Sequence, residues 1–299
     1  MHILKAVWEF ILTFFTFLSL LFSNAPLEEV SYEAQSPTEL VMSFSIISDT
    51  HVETTDSGSY KNFTKTLRAM KAGRDIDAAV FLGDNVMNGQ SLENFYFYNA
   101  LDIVEPAEHN LVALGNHDIG NGEGDYGKLC GRFLKNNSKK LDNHIDKPYY
   151  YKIINGCYMI FLASEDLSVH ECVISNDQLV WLKGLLDEAD RANAPIFVFN
   201  HHPILMIDGE DWFKLIDLLG SYDNLIYFCG HTHKMLDEYS FRMYGKVRCV
   251  FLPRASGADG YGAGDGIVVE VYKDSILIKP RNFIRGEWME ELFVYCDIE

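Results

Sequence analysis

The sequence predicts an α/β fold in which helices are layered on a sheet, and three observations predict it. Short apolar runs alternate with stretches of helical periodicity from residue 41 to residue 114. Glycine, proline and Asn-Gly signals fall where those elements would end. Five of the apolar runs stop directly at a cluster of Asp, His or Asn. Strand–helix–strand alternation is the pattern of a sheet covered by helices.

Residues 41–47 are an apolar run ending at Ser48-Asp49, so they read as a buried strand. Residues 59–72 carry Phe63, Leu67 and Met70 at helical spacing, with Gly73 as the stop signal. Strand 78–82 runs into Gly83-Asp84, helix 91–104 is closed by Pro106, and strand 111–114 runs into Gly115-Asn116-His117-Asp118. Residues 120–143 are rich in Gly, Asn and Lys and read as a long loop or insertion. Strands 149–154 and 158–163 flank Asn155-Gly156, the strongest short hairpin signal. Ser175 and Gln178 open a helix as a capping box, continued by Leu179, Leu182 and Leu186. Strand 196–199 ends in Asn200-His201-His202-Pro203, helix 212–219 follows, and strand 225–229 ends in Gly230-His231-Thr232-His233. From Met235 onward the chain is mostly strand, with turns at Tyr244-Gly245 and Lys273-Asp274.

Composition narrows the class. Of the 299 residues, 48% are hydrophobic and 23% charged, which describes a folded globular chain. The net charge of −18, from 43 acidic and 25 basic residues, weighs against a nucleic-acid polymer as partner. It does not exclude a small phosphate ester, because bound metal ions reverse the local sign. The six cysteines include no CxxC pair. Cys157, Cys229 and Cys249 lie in strand-like runs as core residues, whereas Cys130 and Cys172 are free to pair if the chain is exported.

The N-terminus differs from the rest. Residues 6–22 are almost wholly apolar, follow Lys5 and precede the small-residue stretch Ser23-Asn24-Ala25. Seventeen helical residues reach roughly 25 Å, near the lower limit for crossing a bilayer. We read residues 1–25 as an export signal or membrane anchor, 26–40 as a linker and 41–299 as the catalytic domain. Glu9 and Pro26 disagree with a cleaved signal, and the alternatives are an interfacial helix or a packed helix in a cytoplasmic protein.

The clusters carry the chemistry. In layered α/β folds, ligands gather beyond the carboxyl ends of strands, so the five clusters can meet at one place. They offer two Asp, one Asn and four His as ligand candidates, more than one tetrahedral ion needs, and no thiolate. Such a set suits two divalent ions, manganese or iron first and zinc as the alternative. A metal pair lowers the pKa of a shared water toward about 7 and neutralises charge on a phosphoryl group. The glycines before Asp84, Asn116 and His231 are expected to permit sharp turns out of the strands.

The ordered series DxH, GD, GNHD, HHP and GHTH, spanning Asp49 to His233, resembles the calcineurin-like metallophosphoesterase superfamily. The resemblance implies a two-sheet β-sandwich flanked by α-helices, a four-layer fold. It also implies hydrolysis of a small phosphoester with two divalent ions as cofactors. It places Asp49, His51 and His233 on one metal, Asn116, His201 and His231 on the other, with Asp84 bridging. His117 matches the histidine that contacts the phosphate and helps the leaving group depart. Asp118 is either an acid that orients His117 or a loop cap. Met87 and Asn88 stand where protein serine/threonine phosphatases carry Asp and Arg, which argues against that branch. The HHP and GHTH pattern is closer to bacterial cyclic-nucleotide phosphodiesterases and to purple-acid-phosphatase-like enzymes. The tyrosine that purple acid phosphatases add is missing from residues 85–88. Small phosphodiesters lead the expected substrates, with phosphomonoesters as the alternative.

Other residues carry blander readings. His2, His109, His144 and His170 fit no motif and read as surface or structural residues. Tyr126 and Arg254 are loop residues that could approach a substrate, and Phe95-Tyr96-Phe97-Tyr98 reads as core and helix face. A nuclease would call for basic grooves, and a non-catalytic or membrane-tethered scaffold would not need every ligand position filled. Oligomeric state leaves no signal in the sequence.

The N-terminal reading has a direct test. Full-length protein should partition into the membrane fraction or the medium, whereas a chain shortened to begin at Leu40 should be soluble and active. Recovery of intact full-length protein from the cytosol would overturn the export reading.

Overall fold

The computed structural model describes residues 39–73, 76–141, 143–209, 211–257 and 262–298, so the expected N-terminal helix lies outside the described residues. Among the described residues, thirteen strands form two mixed sheets. In the first, β1 (Leu40–Ile47), β2 (Ala78–Leu82) and β3 (His109–Ala113) run parallel, with Ile46 opposite Val80 and Val80 opposite Leu111. Strands β10 (Asp265–Tyr272) and β11 (Ser275–Asn282) extend it antiparallel beside β1, and β12 (Glu287–Trp288) and β13 (Val294–Asp297) pair with β11. The second sheet runs β4 (Tyr150–Ile154), β5 (Cys157–Phe161), β6 (Ile196–Phe199), β7 (Leu225–Cys229), β9 (Val247–Phe251) and β8 (Phe241–Tyr244). Its β5, β6, β7 and β9 are parallel, and β4 and β8 close the edges antiparallel.

Period-two alternation sorts side chains between three cores. Phe44, Val80 and Leu82 from one sheet and Phe161, Phe197, Phe199 and Phe228 from the other fill the space between the sheets. The rings pack on one another: Phe161 stacks on Phe199 at 4.8 Å, Phe199 on Phe228 at 5.3 Å, and Phe44 meets Phe197 edge-on at 4.9 Å. The opposite faces of the same strands, such as Phe81 and Val112 or Val198 and Tyr227, pack under helices. Helices α1 (Gly58–Ala72), α2 (Ser91–Val104) and α3 (Tyr126–Lys140) cover the first sheet; α4 (Asn176–Arg191) and α5 (Asp211–Leu219) cover the second. The result is the four-layer α/β/β/α sandwich that the resemblance implied. Buried Tyr150 ties the layers, its hydroxyl donating to the Val112 carbonyl and accepting the Val112 N–H, each at 3.1 Å.

Two sequence expectations need correction. The stretch 120–143 is not all loop, because it contains α3. Asp125 caps that helix by accepting the Lys128 N–H, and Leu129, Cys130, Phe133 and Asn137 recur on one side of it. Glycines and asparagines give α3 weak intrinsic propensity, so packing against the domain holds it, with Asn137 donating to the Tyr98 hydroxyl at 3.1 Å. The capping box at Ser175 is half formed. Ser175 accepts the Gln178 N–H, but the Gln178 side chain instead bridges the N–H and carbonyl of Ala163. All six cysteines are free and buried, so Cys130 and Cys172 do not pair. The Asn155-Gly156 hairpin forms with positive φ at both residues, 48° and 83°.

Phe133 is the main anchor of α3 and is 3% exposed. Phe133→Ala should cost about 3–5 kcal/mol in denaturant unfolding. A loss below about 1 kcal/mol would mean that α3 contributes little to the fold.

Candidate metal centre

Strands β1, β2 and β3 from one sheet and β6 and β7 from the other carry the five clusters on the loops after their carboxyl ends. Hydrogen bonds stitch neighbouring loops together. Asp49 N–H donates to the Gly83 carbonyl at 3.1 Å, His51 N–H to Asp84 at 3.0 Å, and Gly230 N–H to His201 at 2.9 Å. Asp49, His51, Asp84, His231 and His233 all have positive φ, between 43° and 67°. Non-glycine residues adopt that region rarely, and here it concentrates at candidate ligands.

The expected role of the glycines holds at one of three positions. Gly83 has φ of 83°, and a Cβ there would also lie 2.7 Å from the His201 ring. Gly115 and Gly230 are not left-handed; they are slots. A Cβ on Gly115 would sit 2.2 Å from the Asp84 amide nitrogen, and one on Gly230 would sit 2.0 Å from Ser48 Oγ. Absence of a side chain there lets loops from different strands touch.

Each buried aspartate divides its two oxygens. Asp49 Oδ2 accepts the His231 N–H at 3.2 Å, while Oδ1 has no hydrogen bond and lies 3.0 Å from His233 Nε2 and 3.8 Å from His51 Nε2. Asp84 Oδ1 accepts the His117 N–H at 2.9 Å, while Oδ2 lies 3.1 Å from His201 Nε2. His201 Nδ1 donates to the Leu82 carbonyl at 2.9 Å, which fixes the tautomer and leaves Nε2 as the free nitrogen. That Nε2 is buried and out of hydrogen-bond alignment with Asp84. His51 Nε2 and His233 Nε2 face each other at 3.2 Å. Two groups of potential ligand atoms result, Asp49, His51, Asp84 and His233, and Asp84, His201 and His231, each within 4.8 Å. Asn116 Oδ1 lies 3.0 Å from His231 Nδ1, while its amide donates to Asn121 at 3.0 Å.

Unmatched oxygen and nitrogen atoms at such distances fit cations placed between them. Burial opposes ionisation of Asp49 and Asp84, yet the surrounding histidines hold both below the usual carboxylate range. Burial lowers His51 and His231 to about 4, which leaves both neutral, the form that binds metal. Burial would lower His201 too, but the Asp84 carboxylate beside it overrides this and raises it to about 10. A divalent ion at that point would take the proton's place. With imidazole, carboxylate and amide donors and no thiolate, the residues fit two such ions.

His117 lies at the rim of the centre, its side chain 19% exposed. Its Nδ1 donates to the Met87 carbonyl at 2.5 Å, and its Nε2 lies 3.9 Å from Asp84 Oδ2. Asp118 does not orient it. The Asp118 carboxylate accepts N–H groups from Gly115, Asn85 and Val86 and the Asn85 side-chain amide, at 2.8–3.1 Å. Of the two readings of Asp118, the geometry carries the loop cap. Burial and then the Asp84 charge push its pKa up to about 7, while the Gly115 and Val86 N–H groups oppose them. Met87 as the partner of His117 was invisible in sequence, because a main-chain carbonyl leaves no residue signature. His202, outside the candidate set, is buried with its ring 4.6 Å from His231 and Nε2 3.3 Å from the Val169 carbonyl. Arg254 pairs in a bridge with Ser48, and its charge acts on His51, whereas Tyr126 donates to the Ser164 carbonyl at 2.9 Å.

Residues 42–235 match the calcineurin-like phosphoesterase family. No curated protein matches the sequence. Among solved structures the chain is similar to a dimetal phosphatase from Danio rerio, with 15% identity, TM-score 0.64, and coverage of 87% of this chain and 100% of that one. It is also similar to the purple acid phosphatase PPD1 of yellow lupin, Lupinus luteus, with 13% identity and TM-score 0.62; 86% of this chain matches, spanning 53% of the lupin chain. At these identities the two structures speak for the fold, and the family match covers well over half of the sequence. The chain belongs to the calcineurin-like phosphoesterase family and is a metal-dependent phosphoester hydrolase.

Proposed function

We propose that the protein hydrolyses small phosphodiesters at a centre holding two divalent ions, manganese or iron in preference to zinc. The observation that carries the proposal is the convergence of seven oxygen- and nitrogen-donor residues, among them Asp84, the carboxylate common to both groups. Asp49, His51 and His233 would hold one ion and Asn116, His201 and His231 the other. When bound, the ions supply Lewis acidity and activate water for attack on phosphorus.

The chain's own groups supply the remainder. The Met87 carbonyl keeps a proton on His117 Nδ1, so Nε2 is the nitrogen that exchanges a proton. From the rim of the centre Nε2 donates to the leaving oxygen as the ester bond breaks. The shape of the GD loop favours a diester over a monoester. Where a phosphate-clamping Arg would stand, Asn88 is bound into the start of α2, its N–H and side-chain amide each 2.9 Å from Glu93. The monoanion of a diester needs less cationic clamping than a monoester dianion. We further propose that residues 6–22 tether or export this domain.

Two outcomes are expected. Metal-supplemented protein should hold close to two divalent ions per chain by elemental analysis, and Asp84→Ala should lose both, since Asp84 serves both groups. One ion or none in the unaltered protein would sink the two-metal reading.

His117→Ala should keep its metal and lose about 10²–10⁴-fold on alkyl phosphodiesters, whose leaving alkoxide needs a proton, and far less on nitrophenyl esters. His201→Ala should lose metal and slow both alike. Equal losses on both ester types in His117→Ala, with metal retained, would show that His117 positions phosphate and is not the acid. Faster turnover of monoesters than of alkyl diesters would favour a phosphatase.

A further inference from the structure

We propose that a cavity on the helix-covered side of the first sheet binds a small monocarboxylate with an apolar body, its charge taken by Arg281. The cavity, about 190 Å³, is bounded by β1 at Ser43 and Ser45, β10 at Val268, β11 at Arg281 and the end of α1 at Met70 and Gly73. It is separate from the metal centre. None of the candidate ligands lines it, and β1 enters it at Leu40, the end opposite the one that delivers Asp49.

Two buried polar atoms mark the cavity. Ser45 is 1% exposed, and its Oγ has no hydrogen-bond partner. Strand alternation accounts for its direction, since Phe44 and Ile46 enter the core between the sheets and Ser45 therefore faces the side covered by α1. Arg281 Nε is also buried without a partner, and among the described residues no other Lys or Arg has a nitrogen in that condition. Buried polar atoms are ordinarily satisfied, so two of them lining one cavity call for a ligand. At the metal centre the same signature, on Asp49 Oδ1 and His201 Nε2, goes with a binding site.

The charge of Arg281 is unmatched. Its guanidinium lies 4.5 Å from the Trp288 ring centre and 5.5 Å from that of Phe283, contacts that fix its plane and leave its N–H groups unspent. Glu270 is the one acid among the described lining residues, and it is already engaged: Lys279 and the Tyr272 hydroxyl each bind it at 2.9 Å. Burial accordingly lowers the Arg281 pKa with no carboxylate opposing it. A guanidinium in this state favours a carboxylate, which takes two parallel N–H bonds, and Ser45 adds a hydroxyl donor. The other walls are largely apolar, formed by Leu40, Ala69, Met70, Ile76, Val268 and Phe283. One cation among apolar walls suits a monoanion with a hydrocarbon body, not a phosphate dianion. An apolar cavity of roughly 150 Å³ accommodates benzene, so a body of that size fits here.

Benzoate is the probe, titrated by calorimetry into metal-loaded full-length protein. One site per chain is expected, with a Kd of roughly 0.1–1 mM for a ligand of so few atoms. Benzamide keeps the ring without the charge and acetate the charge without the ring, and each should bind at least about tenfold more weakly. Arg281→Met should weaken benzoate by at least about tenfold while the protein still unfolds cooperatively on heating. Ser45→Ala, which leaves the stack on Trp288 untouched, should weaken it by about threefold and decides the matter if Arg281→Met fails to fold. Benzoate affinity unchanged in Arg281→Met, or in Ser45→Ala where that variant decides, would place the carboxylate elsewhere, as on the metal ions, and end the proposal. Equal binding of benzamide would remove the role of the charge, and equal binding of acetate that of the apolar walls. No saturable binding up to roughly 10 mM would mean that the cavity holds water alone.

Discussion

The division of labour within two buried carboxylates organises the rest of the molecule. One oxygen of Asp49 binds the main chain of His231, and one oxygen of Asp84 binds the main chain of His117. The Asp49 contact joins the two sheets, since β1 lies in the first and β7 in the second. Those bonds require the strand ends to finish at the same level, so the inner core of Phe44, Phe161, Phe199 and Phe228 must hold the sheets in one register. They also require loops to approach closer than a side chain permits, which accounts for Gly115 and Gly230. With one oxygen committed to architecture, the other is aimed at the centre, where that of Asp49 has no hydrogen bond and that of Asp84 faces His201 Nε2. Few arrangements leave a buried carboxylate oxygen in that position unless a cation completes it.

Most of the fold was legible because its strands are short, wholly apolar and bounded by turn residues. β2, β6 and β7 end where the sequence places them, since a buried parallel strand has no polar positions to blur its limits. α3 was not legible, because its glycines and asparagines resemble loop composition and its apolar side is narrow. The candidate ligands were legible as residue types following strands. Their second role as cross-links between loops was not, because most of the partners are main-chain groups, the His231 and His117 N–H for the aspartates and the Leu82 carbonyl for His201. Asp118 shows the limit most sharply: its place beside His117 in sequence suggests a catalytic partner, yet its oxygens serve the turn that presents His117.

The electrostatics of the chain set one problem against another. A net charge of −18 draws divalent cations toward the protein and repels the anionic esters that such cations would activate. The neutral forms of His51 and His231 add no positive charge of their own. The sign of the field at the centre therefore depends on what the carboxylates hold, which makes metal content and affinity for substrate a single property.

The left-handed backbone at Asp49, His51, Asp84, His231 and His233 has an evolutionary consequence. Each such residue carries roughly 1–3 kcal/mol of strain, and glycine or asparagine would adopt the same conformation more easily. Replacing a ligand histidine in that conformation by either residue relieves strain, and asparagine at Asp49 or Asp84 also removes a desolvated charge while keeping an acceptor for the His231 or His117 N–H. Drift toward an inert relative of this fold is therefore downhill in stability. An intact set of ligands persists only while selection for turnover opposes that slope.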